Sequence, residues 1–148
     1  MNTFRVTLSI IGSGETMNVI DLTPRGYCHG VLNALAIVKK VIKTESYPRP
    51  IYILGQIVHN QKITDAFNRY GVISLEQKGK TRAEMLENIH EGTVIFTAHG
   101  VSDDVIARAK EKGLVTMNAT CRDVIKVHKI VKEKLNEGYK VIYIGHRN

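Results

Sequence analysis

Apolar positions along this chain switch between two periods, and the switch repeats. Short β-branched runs alternate with stretches of roughly ten to fifteen residues in which apolar side chains recur every three or four positions, as at Val31, Leu35, Val38 and Ile42. The short runs predict strands over Met17–Leu22, Ile51–Leu54, Val72–Leu75, Thr93–Thr97, Leu114–Met117 and Lys140–Ile144. The longer stretches predict helices over Cys28–Ile42, Asn60–Tyr70, Thr81–Ile89, Ser102–Lys112 and Arg122–Asn136. Gly71, Gly92, Gly113 and Gly138 stand where helices end and a left-handed cap is wanted before the next segment. Strand and helix in strict alternation read as βαβ units, so the expected fold class is α/β, a parallel sheet built from βα repeats.

The two ends break the pattern. Residues 1–16 form an apolar leader interrupted by Gly and Ser, read as an appended or mis-started segment. The last predicted strand ends where a parallel sheet would place its next loop and helix. The expectation is therefore a fragment, or a chain completed by a partner.

Size and composition narrow the class. The chain has 148 residues, 43% of them hydrophobic, enough for one compact core and short for a multidomain enzyme. No window has the ~18 uninterrupted apolar residues of a membrane span, and the N-terminus lacks the pattern of a secretory signal. No membrane association and a cytoplasmic location are expected. The net charge is +7, but the excess lies along helices, as at Lys39, Lys40 and Lys43. No aromatic interleaving or reading-helix motif accompanies it, so solvated helix faces are a better reading than a nucleic-acid surface. The charge also suits an anionic small molecule or an acidic protein partner.

Candidate chemistry falls at one edge. Ligands of parallel sheets bind beyond the carboxyl ends of the strands, where loops converge and helix N-termini offer free N–H groups. There the chain carries Cys28 in TPRGYCHG, His59 with Asn60 in GQIVHN, His99 in TAHGVS, Cys121 in NATC and His146 in IGH. Taken singly, each cysteine reads equally well as a small apolar core residue. Placed together on one rim, the pair reads as metal ligands. His59 and His99 lie in loops between strand and helix, suited to phosphate, with Ser102 expected to cap the helix after His99. His29, His90 and His128 read as helix or surface residues and are assigned no role. Gly26 and Gly30 permit close backbone approach around Cys28, and Arg25 adds positive charge.

Four segments carry more than generic signals. TPRGYCHGV, PIYILGQIVHN, GTVIFTAHGVS and NATCRDVIKVH, in this order and spacing, resemble the N-terminal half of the hydroxymethylbutenyl diphosphate reductases, the LytB family. The resemblance runs from about Met17 to His146. It implies a three-lobed α/β enzyme around a 4Fe-4S iron–sulfur cluster. Here residues 17–120 would be the first lobe and 121–148 the truncated start of the second. It further implies reduction of 4-hydroxy-3-methylbut-2-enyl diphosphate to isopentenyl and dimethylallyl diphosphate, the terminal step of the non-mevalonate isoprenoid pathway. A ferredoxin or flavodoxin would donate the electrons. Cys28 and Cys121 match the first two cluster ligands, and His59 and His99 match the histidines that hold the substrate diphosphate. Asn118 and Arg122 depart from the family, which has aspartate and proline there, and His29 departs where a small or aromatic residue is common. The family's GHxxHPE stretch starts at Gly145 and His146, so the proton-donating glutamate would lie beyond Asn148. No catalytic acid is expected within the chain, which alone is expected to be inactive. Two other readings stand beside this one: a non-catalytic degenerate module that keeps the fold, and a domain binding zinc through Cys28, Cys121 and one or both rim histidines.

Overall fold

The structure is a computed structural model that describes residues 5–7, 18–20, 26–142 and 144. Its centre is a four-stranded parallel sheet of β3 (Ile51–Leu54), β4 (Val72–Leu75), β5 (Thr93–Phe96) and β6 (Val115–Asn118), in the spatial order β4-β3-β5-β6. The helices are α1 (His29–Lys43), α2 (Gln61–Asn68), α3 (Arg82–Glu87), α4 (Asp103–Glu111) and α5 (Arg122–Asn136).

Alternation along the central strands decides which helices cover which face. Ile51, Ile53 and Ile95 are fully buried against Ala34, Val38 and Val41 of α1 and Phe67 of α2. Leu54, Val94 and Phe96 point the other way, onto Met85 and Leu86 of α3 and Val105 and Ala109 of α4. Both faces are thus covered, as a parallel sheet requires. Ile95→Val removes one methylene from the first of these layers. It is expected to lower the unfolding free energy by about 1 kcal/mol, read by urea denaturation.

Strands β3 to β6 lie within one residue of their predicted bounds, and Gly71, Gly92, Gly113 and Gly138 all have positive φ. Two predicted strands behave differently. The segment predicted at Met17–Leu22 contributes β2 (Asn18–Ile20), which pairs antiparallel with β1 (Arg5–Thr7) in a separate two-stranded sheet. Part of the predicted leader is therefore a strand, and it supplies the backbone partner that β2 would otherwise have needed from the central sheet. The strand predicted at Lys140–Ile144 is not formed among the described residues, where Ile142 and Ile144 are 85% and 93% exposed. A strand exists only through pairing, and no neighbouring strand accompanies this apolar run. Helix α5 forms over the predicted residues but buries none of them. No described helix is long and apolar enough to cross a membrane.

Candidate functional site at the carboxyl edge of the sheet

Strand order creates the site. After β3 the chain adds β4 on one side, then crosses to place β5 on the other. The loop after β3 leads into α2 on one face of the sheet, and the loop after β5 leads into α4 on the opposite face. A crevice opens where connections diverge in this way.

His59 and His99 meet there. Their rings stack with centroids 4.4 Å apart and an interplanar angle of 29°. Partial desolvation is the main reason that His99 titrates below its ordinary value, and the positive potentials of His59 and Arg82 push in the same direction. An imidazole held in this way is readily protonated by an incoming anion, because the anion cancels the terms that disfavour its charge.

Arg82 was invisible as a site residue in the sequence, being the first residue of α3, after β4. Its Nη1 donates to the Leu54 carbonyl at 2.8 Å, reaching across to the carboxyl end of β3. Partial burial lowers its proton affinity, and the Glu76 carboxylate opposes that effect. Gly55 makes room for it: a Cβ there would lie 1.7 Å from Arg82 Nη1.

The cysteines stand at two helix starts. Cys28 is the N-cap of α1 and is exposed, while Cys121 is the N-cap of α5 and half-buried. Gly30, in the first turn of α1, packs against Cys121 so closely that a Cβ would fall 2.6 Å from its Sγ. The Cys28 loop is tied to the histidine crevice as well, since Asn60 Nδ2 donates to the Tyr27 hydroxyl at 3.2 Å. All four predicted site residues therefore lie on the same rim, in two neighbouring groups. His146 lies outside the described residues.

Helix caps follow a pattern. Helix α3 begins with a full capping box between Thr81 and Glu84, whereas Cys28, Asn60, Ser102 and Cys121 make no side-chain cap at α1, α2, α4 and α5. For Ser102 this corrects the expectation of a cap: its hydroxyl bonds instead to the Asp104 side chain, helping to hold that carboxylate below its ordinary value. The helix starts that follow the four motifs keep their first-turn N–H groups free of side-chain caps. Such groups attract anions.

Two histidines read as bystanders are not distant from the rim. His29 Nε2 lies 3.3 Å from Asp123 Oδ2. His128 lies against Gly100 and lines a groove with His99, Val124 and Lys132. Neither contact had a local sequence signal, because each joins residues far apart in the chain. The zinc reading that combined both cysteines with His59 or His99 is also revised. Among the described residues, the only cluster of metal-donor side chains is His29, Cys121 and Asp123.

Fold and site together define an open parallel α/β protein with a ligand crevice at its topological switch point. The family model of the LytB protein matches residues 19–148, and the chain belongs to that family. A relative from Geobacillus sp. (strain WCH70), named 4-hydroxy-3-methylbut-2-enyl diphosphate reductase, is 59% identical over 129 residues, covering 87% of this chain and 40% of the relative. A relative of the same name from Bacillus mycoides (strain KBAB4) is 54% identical, covering 89% of this chain and 41% of its own length. The chain thus spans about two fifths of the curated relatives it matches. Among solved structures, the E-1-hydroxy-2-methyl-but-2-enyl-4-diphosphate reductase of Plasmodium falciparum aligns with a TM-score of 0.66 at 34% identity. That alignment covers 79% of this chain and 34% of the other. A second structure, described as (E)-4-hydroxy-3-methyl-but-2-enyl diphosphate reductase, the terminal enzyme of the non-mevalonate pathway, gives 0.62 at 31% identity, covering 77% and 37%.

Proposed function

We propose that this chain is the part of a 4-hydroxy-3-methylbut-2-enyl diphosphate reductase that binds the substrate diphosphate and supplies two thiolates to an iron–sulfur cluster. The observation that carries this reading is the convergence of the His59–His99 stack and the Cys28 and Cys121 helix starts on one edge of one sheet.

The diphosphate needs several fixed donors and positive potential. His59 and His99 would donate from their rings, Arg82 would add a fixed charge, and the uncapped starts of α2 and α4 would contribute backbone N–H groups. The stacked rings hold each other in place, so little side-chain freedom remains to be lost on binding. The site suits an anion before one arrives.

The donor set fits two corners of a cluster. Cys28 and Cys121 would hold it, with Gly30 keeping α1 close enough to Cys121 for both sulfurs to serve one group. Helix starts present positive partial charge, which suits a group bound through thiolates. The chain has two cysteines, so the third thiolate implied by the family resemblance would come from outside these 148 residues. When bound, such a cluster supplies electrons and a Lewis-acidic iron for removal of the allylic hydroxyl. The electrons would come from a ferredoxin or flavodoxin, and a net charge of +7 favours an acidic donor.

Anaerobic reconstitution with iron and sulfide tests the proposal. The expected product is a brown protein whose bound iron and sulfide fall several-fold in Cys28→Ala and in Cys121→Ala. A wild-type chain that remains colourless, with no retained sulfide, would sink the assignment of cluster ligation to these thiols.

A further inference from the structure

We propose that His29, Cys121 and Asp123 form a three-ligand site for a divalent transition-metal cation, with zinc the best chemical match. This inference rests on the side chains alone and is separate from the iron–sulfur reading. His29 Nε2 lies 3.3 Å from Asp123 Oδ2, Cys121 Sγ lies 3.9 Å from the same oxygen, and all three donor atoms fall within 4.8 Å of one another.

Those separations match what a small tetrahedral ion requires. Zinc bonds of about 2.3 Å to sulfur and about 2.0–2.2 Å to nitrogen and oxygen place neighbouring ligand atoms roughly 3.3–3.7 Å apart. Two donor pairs already stand near that spacing, and the third closes with a small rotation of exposed side chains. One sulfur, one imidazole nitrogen and one carboxylate oxygen also form a borderline-soft set, which favours zinc or cobalt over magnesium or calcium.

The backbone explains why the three converge. His29 is the first residue of α1, Cys121 caps α5 and Asp123 is the second residue of α5. Gly30 lets the two helix starts touch, since a larger residue would meet Cys121 Sγ at 2.6 Å. His29 and Asp123 have side chains 68% and 74% exposed, so the fourth coordination position faces water. On ligation the Cys121 thiol releases its proton to solvent and its sulfur becomes a metal ligand, with no change in oxidation state. A cation held here takes Cys121 away from any other group that needs it. Zinc and an iron–sulfur cluster would therefore compete for this one sulfur.

Cobalt(II) titration of the metal-free, reduced chain tests the site. The expected result is one cobalt per chain, with a thiolate-to-cobalt charge-transfer band, tetrahedral visible bands, and displacement of both by zinc. His29→Ala and Asp123→Ala should each weaken binding by at least the roughly tenfold that loss of a mere supporting partner costs a metal site. Cys28→Ala should bind cobalt as the unaltered chain does. Far-UV circular dichroism establishes that each variant is folded, and His29→Gln replaces the alanine variant if that one is not. Absence of the charge-transfer band overturns the site. So does loss of cobalt in Cys28→Ala with retention in the His29 and Asp123 variants, which would place the metal between the two cysteines. The cobalt readout is independent of whether the chain takes up iron and sulfide.

Discussion

Replacing Gly55 with alanine is expected to lower the unfolding free energy by about 3 kcal/mol and to raise the pH at which His99 titrates. Two costs combine. Gly55 has φ +107°, a conformation that costs an L-residue on the order of 1–3 kcal/mol. The new Cβ would also overlap the Arg82 guanidinium, 1.7 Å from Nη1 and 2.4 Å from Cζ, and expel it from the Leu54 carbonyl. A hydrogen bond to a charged group contributes about 1.5–3 kcal/mol, and Arg82 is only partly buried, so the lower end applies. The electrostatic consequence is separate. Arg82 is one of the charges that depress His99, and moving it away removes that contribution while leaving the larger desolvation effect and that of His59. Urea denaturation reads the first change, and the pH dependence of the His99 ring proton in NMR reads the second. Unchanged stability with an unchanged His99 titration would mean that Arg82 has no structural hold on this loop.

His99→Asn is expected to weaken binding of inorganic pyrophosphate by roughly 10- to 100-fold, the equivalent of one charge-assisted hydrogen bond of about 1.5–3 kcal/mol. The same interaction sets a pH dependence. In the free chain His99 titrates below its ordinary value, chiefly through desolvation, so at neutral pH it is uncharged. Bound pyrophosphate favours the imidazolium, so binding takes up a proton and affinity rises as pH falls. The rise ends once pH drops below the free chain's own depressed value, where the ring is protonated before the anion arrives. Stability without the anion runs the other way. An unfolded histidine titrates near about 6.5, so stability from keeping His99 neutral is complete above that pH and is lost as pH falls toward the folded value. Isothermal titration with pyrophosphate across this range checks both claims. An affinity independent of pH, or unaltered in His99→Asn, would place the diphosphate elsewhere on the rim.

Both predictions concern contacts that no local pattern announces. The sequence does say that His59 and His99 sit in loops leaving two strands on the same edge. It does not say that those strands are neighbours. The order β4-β3-β5-β6 supplies that fact, and it turns two separate histidine loops into one stacked pair. Arg82 is a clearer case of the same limit. It follows β4 in the chain, yet acts on the carbonyl of Leu54, 28 residues earlier. His29, read as a bystander, lies within reach of Asp123 because two helix starts meet at Gly30.

What the sequence determined by itself was local and periodic. The two hydrophobic periods located the central strands and the helices to within a residue or two, because side-chain direction alternates along a strand and repeats every 3.6 residues along a helix whatever the neighbours are. The motifs around Cys28, His59, His99 and Cys121 likewise marked the family to which the chain belongs. Tertiary structure alone decided which segments became partners. It paired β2 with β1 rather than with the parallel sheet, left Lys140–Ile144 without a described strand, and brought His29 to Cys121. Pairing of this kind depends on backbone hydrogen bonds and contacts between residues distant in the chain, and an apolar run of strand-forming residues looks the same whether or not it finds a partner.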